Sequence, residues 1–196
     1  MSHLATERLR LQPAPGGLAL VQDLLNTRQI GLHAFDLLGT VDGARYWLRQ
    51  AMDQESGDTD WVRELSDRDL DQLRALRTDI ERLVAGSVPA PGPVAQASLV
   101  LTADGGLHLD PNGERISRFA SEVWTHVFLA QQADTWRRLK LCHNPPCASA
   151  FYDRSKNNSG VWHDVRTCGN VANLRASRAR RRAESSSSED AGHLSG

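Results

Sequence analysis

Three cysteines and a histidine in the C-terminal third are the residues of this chain best placed to do chemistry. They run as Cys142-x4-Cys147, then fifteen residues, then His163-x4-Cys168. Each short pair can reach one ion from a tight turn, and Pro145 and Pro146 stiffen the first of them. Thiolates and an imidazole in a set of four suit tetrahedral zinc, and a structural site is closed by its protein ligands. The expected cofactor is one structural Zn2+ held by Cys142, Cys147, His163 and Cys168. The fourth ligand is the open point. His163 fits the spacing best, and Asp164 and Asp153 are alternatives. His143 is a poor candidate, since adjacent residues rarely point at one ion. The competing readings are three buried apolar cysteines, a Cys142–Cys147 disulfide, and a catalytic thiol.

The cluster lies in the basic part of the chain. Residues 137–182 hold 11 Lys+Arg against 2 Asp+Glu, whereas residues 1–136 hold 12 against 19. Such asymmetry points to a module that faces a polyanion, attached to something else. Arg175, Arg178 and Arg182 recur at i, i+3 and i+7, and Arg180 and Arg181 extend the charge. A basic helix of this kind neutralises phosphates and releases counterions. Arg154, Lys156 and Arg166 add cations upstream. These eight residues are the candidate nucleic-acid contacts, and the alternative is a solvated or protein-facing surface.

A module of about 40 residues has too little core to fold alone, so metal must supply the difference. Phe151 and Trp162 are expected to pack over the site. Asn157-Asn158-Ser159-Gly160 is a turn signal that predicts a hairpin between the two ligand pairs. A helix near Asn170 follows, with Val171 and Leu174 inward. The layout is treble-clef-like, with a basic C-terminal helix.

Ahead of it, residues 1–136 read as a mainly helical domain. After a polar lead-in of fifteen residues, helices are predicted over Leu18–Thr27 and Asp42–Met52, the latter burying Tyr46, Trp47 and Ala51. A third runs over Asp67–Val84, capped by Ser66, with Leu70, Leu73, Leu76, Ile80 and Leu83 as its apolar stripe. A fourth covers Ile116–Leu129, with Phe119, Val123, Trp124 and Val127 inward. Gly86–Pro93 is a loop, and 98–109 reads as a β-hairpin around Asp104-Gly105-Gly106. The fold class is therefore mainly α with a small hairpin (α+β). The serine-rich residues 183–196 form a tail. Asn26-Thr27-Arg28 either lines a small pocket or ends its helix. His33, His108 and His126 are scattered.

Cys142-x4-Cys147, Phe151-Tyr152-Asp153-Arg154-Ser155-Lys156-Asn157, Trp162 and Cys168-Gly169-Asn170, followed by arginines, resemble the CGNR zinc-finger family. Asp23-Leu24-Leu25-Asn26-Thr27, Tyr46-Trp47-Leu48 and the Leu70–Arg77 stretch resemble its usual N-terminal partner, the ABATE domain. The resemblance implies a bacterial stress-induced transcription regulator with a zinc-stabilised DNA contact. This chain departs from the family in three places. His163 stands where a cysteine is usual, Val171 where the family's name ends in arginine, and Gly160-Val161 where a basic pair precedes the tryptophan. The first keeps zinc chemistry, and the other two remove charge from the contact surface.

The expected function is transcription regulation, with DNA as partner and the N-terminal domain for sensing or assembly. The alternative is a zinc-stabilised module that binds RNA or protein. No nucleophile elbow, phosphate loop or HExxH motif occurs, so an enzyme is not expected. The absence of a long apolar run and the free cysteines point to a cytoplasmic protein with no membrane partner.

Overall fold

The structure is a computed structural model that describes residues 2–31, 35–52, 59–175, 177–178 and 181. His33, Arg180, Arg182 and the 183–196 tail lie outside the described residues. The helices are α1 (Leu4–Glu7), α2 (Leu18–Asn26), α3 (Val41–Ala51), α4 (Asp67–Val84) and α5 (Arg115–Gln132). Strands β1 (Ala97–Leu101) and β2 (Leu107–Pro111) form one antiparallel hairpin, with Leu99 opposite Leu109. Strands β3 (Leu139–Leu141) and β4 (Ala150–Tyr152) form a second, with Lys140 opposite Phe151. The class is α+β, as the sequence suggests. Among the described residues, no helix is long and apolar enough to cross a membrane.

Periodicity explains the long helices. In α4, Leu70, Leu73, Leu76 and Ile80 are buried along one stripe. Its start is a capping box: the Ser66 hydroxyl accepts from the Asp69 N–H at 3.3 Å, and the Asp69 carboxylate accepts from the Ser66 N–H at 2.9 Å. In α5, Ile116, Phe119, Val123 and Val127 are buried, while Trp124 is half-buried. In α3 the buried set is Ala44, Trp47, Leu48 and Ala51. That i, i+3, i+4, i+7 stripe leaves Tyr46 off its face, and Tyr46 is 54% exposed rather than buried.

All nine residues of α2 are buried, so it runs through the middle of the molecule. Its polar side chains must therefore be paired internally, and their pairings join α2 to α1, α3, the lead-in and β4. The Asp23 carboxylate accepts from the Thr6 N–H and from Trp47 Nε1, both at 2.7 Å, tying α1 and α3. Burial pushes the Asp23 carboxyl above its ordinary range, against the pull of Trp47 and Thr6. Gln22 accepts from the Ala14 N–H at 2.6 Å and donates to the carbonyls of Gln12 and Ala150 at 3.3 and 3.2 Å. Asn26 pairs with the Ala150 backbone, accepting from its N–H at 2.8 Å and donating to its carbonyl at 3.0 Å. A side-chain amide thus stands in for a neighbouring strand beside β4.

The end of α2 is closed by Arg8, whose guanidinium donates to the carbonyls of Asn26, Thr27 and Arg28 at 2.9, 3.2 and 2.9 Å. Thr27 donates to the Leu24 carbonyl at 2.6 Å, and Arg28 pairs with Glu81. Asn26-Thr27-Arg28 is therefore occupied in ending its helix and in joining it to neighbours. The main core takes in Leu139 and Ala150, so the second hairpin is seated on the helices.

Candidate metal centre

β3 and β4 flank the first ligand pair. Cys142 follows β3 directly, and its N–H donates to the Ser149 carbonyl at 2.9 Å. Between them, the Asn144 carbonyl accepts from the N–H groups of Cys147 and Ala148 at 2.8 and 3.0 Å. Ala148 closes this knuckle in the left-handed region at φ 49. The hairpin thus encloses the first pair and does not lie between the two pairs, as the Asn157–Gly160 signal predicts. That signal does mark a turn, with Asn158 at φ 51, but no strands flank it. Leu139 and Leu141, opposite Tyr152 and Ala150, have the apolar surface that packs onto the core.

The segment between the pairs is held by one ion pair. Lys140 Nζ donates to Asp153 Oδ2 at 2.7 Å and to the carbonyls of Asn158 and Gly160 at 2.7 and 3.0 Å. Asp153 also accepts from the N–H groups of Ser155 and Gly160 at 2.9 and 2.7 Å. Burial favours its neutral form, yet the donors from Lys140, Ser155 and Gly160 outweigh this and hold the carboxyl well below the usual range. Asp153 is fully engaged and is no metal ligand.

The second pair sits on a tight turn. Val165–Gly169 is one turn of π-helix, and Asp164 caps it by accepting from the N–H groups of Arg166 and Thr167 at 2.6 and 3.4 Å. Asp164 is thereby used as a cap, which leaves the fourth place to His163. Gly169 packs tightly against Trp162: a Cβ there would lie 3.1 Å from its ring, which would have to give way by a few tenths of an ångström.

The donor atoms of Cys142, Cys147, His163 and Cys168 all lie within 4.8 Å of one another. A tetrahedron with metal–sulfur distances of about 2.3 Å has edges of about 3.8 Å, so the quartet fits a zinc ion. His163 Nδ1 is the nitrogen turned inward, 3.3 Å from Cys147 Sγ and 3.2 Å from Ser149 Oγ. Burial pushes the Cys142 thiol up to about 12. A dication reverses that by replacing the proton, so loading releases protons. Phe151 and Trp162 pack with the cysteines in a small core of their own, as their positions suggest. His143 is exposed, edge-on to Trp162 at 6.0 Å.

A model of the CGNR zinc finger matches residues 138–181. This module is a CGNR zinc finger. The match and the clustered Cys142, Cys147, His163 and Cys168 together support one zinc ion at this site. A search of curated proteins finds no match.

The cations of the finger divide into two groups. Arg154 donates to the Pro13 carbonyl at 2.7 Å and lies over the Tyr152 ring at 5.5 Å. Arg175 donates to Asn144 Oδ1 at 3.2 Å, and the Asn144 amide donates to Cys168 Sγ at 3.2 Å. Arg175 therefore supports the metal site through one intermediary, a role its place in the basic stripe does not reveal. Lys156, Arg166, Arg178 and Arg181 are exposed and form no ion pair among the described residues. Backbone 170–175 is helical, but Val171 and Leu174 are 43% and 55% exposed. The predicted inward packing is not seen: the small core beside the sulfurs is made of Phe151, Trp162 and the cysteines and does not include Val171 or Leu174.

Proposed function

We propose that this protein is a DNA-binding transcription regulator whose zinc finger contacts the phosphate backbone. In this reading the N-terminal helices, ABATE-like in their sequence, sense a signal or mediate assembly. The observation that carries it is the set of exposed cations Lys156, Arg166, Arg178 and Arg181, without an ion pair among the described residues, on a module with 11 Lys+Arg against 2 Asp+Glu. A solvated surface has no need of so one-sided a charge, whereas a phosphate backbone is matched by it. Four protein ligands close the metal, which supports a structural and non-enzymatic role. Free thiols at the site suit a reducing compartment.

The test is the salt dependence of DNA binding. Arg166→Ala, Arg178→Ala and Arg181→Ala together should lower the slope of log K against log salt by about 2–3 at unchanged zinc content. Equal affinity of wild type and triple variant at low salt defeats the reading. A protein-binding finger is the second reading, favoured by the exposed Val171 and Leu174 on the same helix. It predicts that Leu174→Asp, and not the arginine variant, abolishes partner capture.

A further inference from the structure

The lead-in segment is docked on the finger. Arg154 holds the Pro13 carbonyl, and Gln22 binds both the Gln12 and Ala150 carbonyls. Between lead-in and finger lies a cleft of about 350 Å³, with Arg10 on one wall and Tyr152, Arg154, Trp162 and His163 on the other. Its volume is at the small end of the range of ligand sites, about 300–1,000 Å³.

Arg10 is exposed and occupies the left-handed region at φ 58, where a non-glycine residue is uncommon. It has no carboxylate partner among the described residues. The one acid on the walls, Asp153, is neutralised by Lys140 at 2.7 Å. Gly160 also lines the cleft, and a Cβ there would lie 3.0 Å from the Asp153 carboxylate. Arg10 and Arg154 thus both line the cleft, and neither forms an ion pair among the described residues. The guanidinium of Arg154, resting on Tyr152, is pre-positioned. Guanidinium forks match phosphate oxygens two at a time, and their planes stack on bases.

We propose that this cleft binds a phosphate group of a nucleic-acid strand between Arg10 of the lead-in and Arg154 of the finger. The proposal rests on the nucleic-acid reading above and extends the contact surface to a segment more than 120 residues away in sequence. A free nucleotide offers the same phosphate, and the experiment separates the two sources.

The zinc-loaded full-length protein is titrated with a short labelled mixed-sequence duplex, with the corresponding single strand, and with AMP. Arg10→Asn removes the charge with a residue that tolerates left-handed backbone, and Arg10→Lys keeps the charge. The expected result is a fall in salt slope of about 0.9 on duplex, or about 0.7 on single strand, for Arg10→Asn alone. Zinc content and thermal melt are the check on folding. An unchanged slope in Arg10→Asn, with a lowered slope in the Arg166/Arg178/Arg181 variant, overturns this proposal and leaves the DNA reading standing. AMP binding that Arg10→Asn abolishes, with no DNA binding by wild type, keeps the phosphate site and overturns its nucleic-acid source. Binding to none of the probes overturns both.

Discussion

Replacing Lys140 by Met keeps the length and apolar stem of the side chain while deleting its charge and its three donors. The Asp153 carboxylate, 4% exposed, then loses its cationic partner, and the carbonyls of Asn158 and Gly160 lose their Lys140 donor. Breaking one side of a buried ion pair costs about 3–5 kcal/mol. Asp153 retains the N–H groups of Ser155 and Gly160, which places the loss at the low end, about 3 kcal/mol. The cost falls on the loop that carries the chain from Cys147 to His163, so it registers as weaker metal binding. About 3 kcal/mol corresponds to about a hundredfold in zinc affinity, read by competition with a chelator of known affinity. Lys140→Met with Asp153→Asn recovers part of the loss, since no buried charge is left unpaired. The pH dependence follows from the depressed Asp153 pKa. Its folded value lies below the unfolded one, so its contribution is complete above the unfolded pKa of about 3.9 and is lost as pH falls through the folded value. Lys140→Met raises the folded value and moves this acid limb upward in pH, and the double variant lacks it. A Lys140→Met protein within about twofold of wild-type zinc affinity would refute the reasoning.

Three further outcomes are expected. Asn26→Ala strands the buried Ala150 N–H and costs about 1–3 kcal/mol, seen as a lower urea midpoint with unchanged slope. Asn144→Ala removes the donor to Cys168 Sγ and should weaken zinc binding about 10–100-fold, with Arg175→Ala a smaller change in the same direction; equal zinc-release rates would exclude the relay. Chelation, or Cys168→Ser, should melt the small core of Cys142, Phe151 and Trp162 and leave the signal of α2 to α5, since the main helical core contains no metal ligand. Loss of all helical circular dichroism in one cooperative step would make the two cores a single folding unit.

The parts legible in the sequence were those written locally. Ligand spacing, the Ser66 cap and the stripe of α4 depend on residues a few positions apart, and so does the Asn158 turn. What stayed hidden is long-range pairing. Gln22 and Asn26 both meet Ala150, and Asp23 meets Thr6 and Trp47, pairings that only the fold brings about. Lys140 and Arg175 look like ordinary members of a basic region until their acceptors are in place. Helical phase put Val171 and Leu174 on an inward face, yet both are exposed, because periodicity alone carries no information on whether another element packs opposite.

The side-chain amide beside β4 bears on how portable the finger is. The family match begins at Arg138, one residue before β3, and so takes in both strands but not Asn26. Cut there, the excised segment would carry the raw edge of a two-stranded ribbon, with the Ala150 backbone unpaired and the underside of Leu139 open to water. Such an edge recruits strands from other chains. A boundary defined by shared sequence thus differs here from the boundary of what holds together in solution, and a graft of this finger onto another protein needs a host surface that supplies an amide in place of α2.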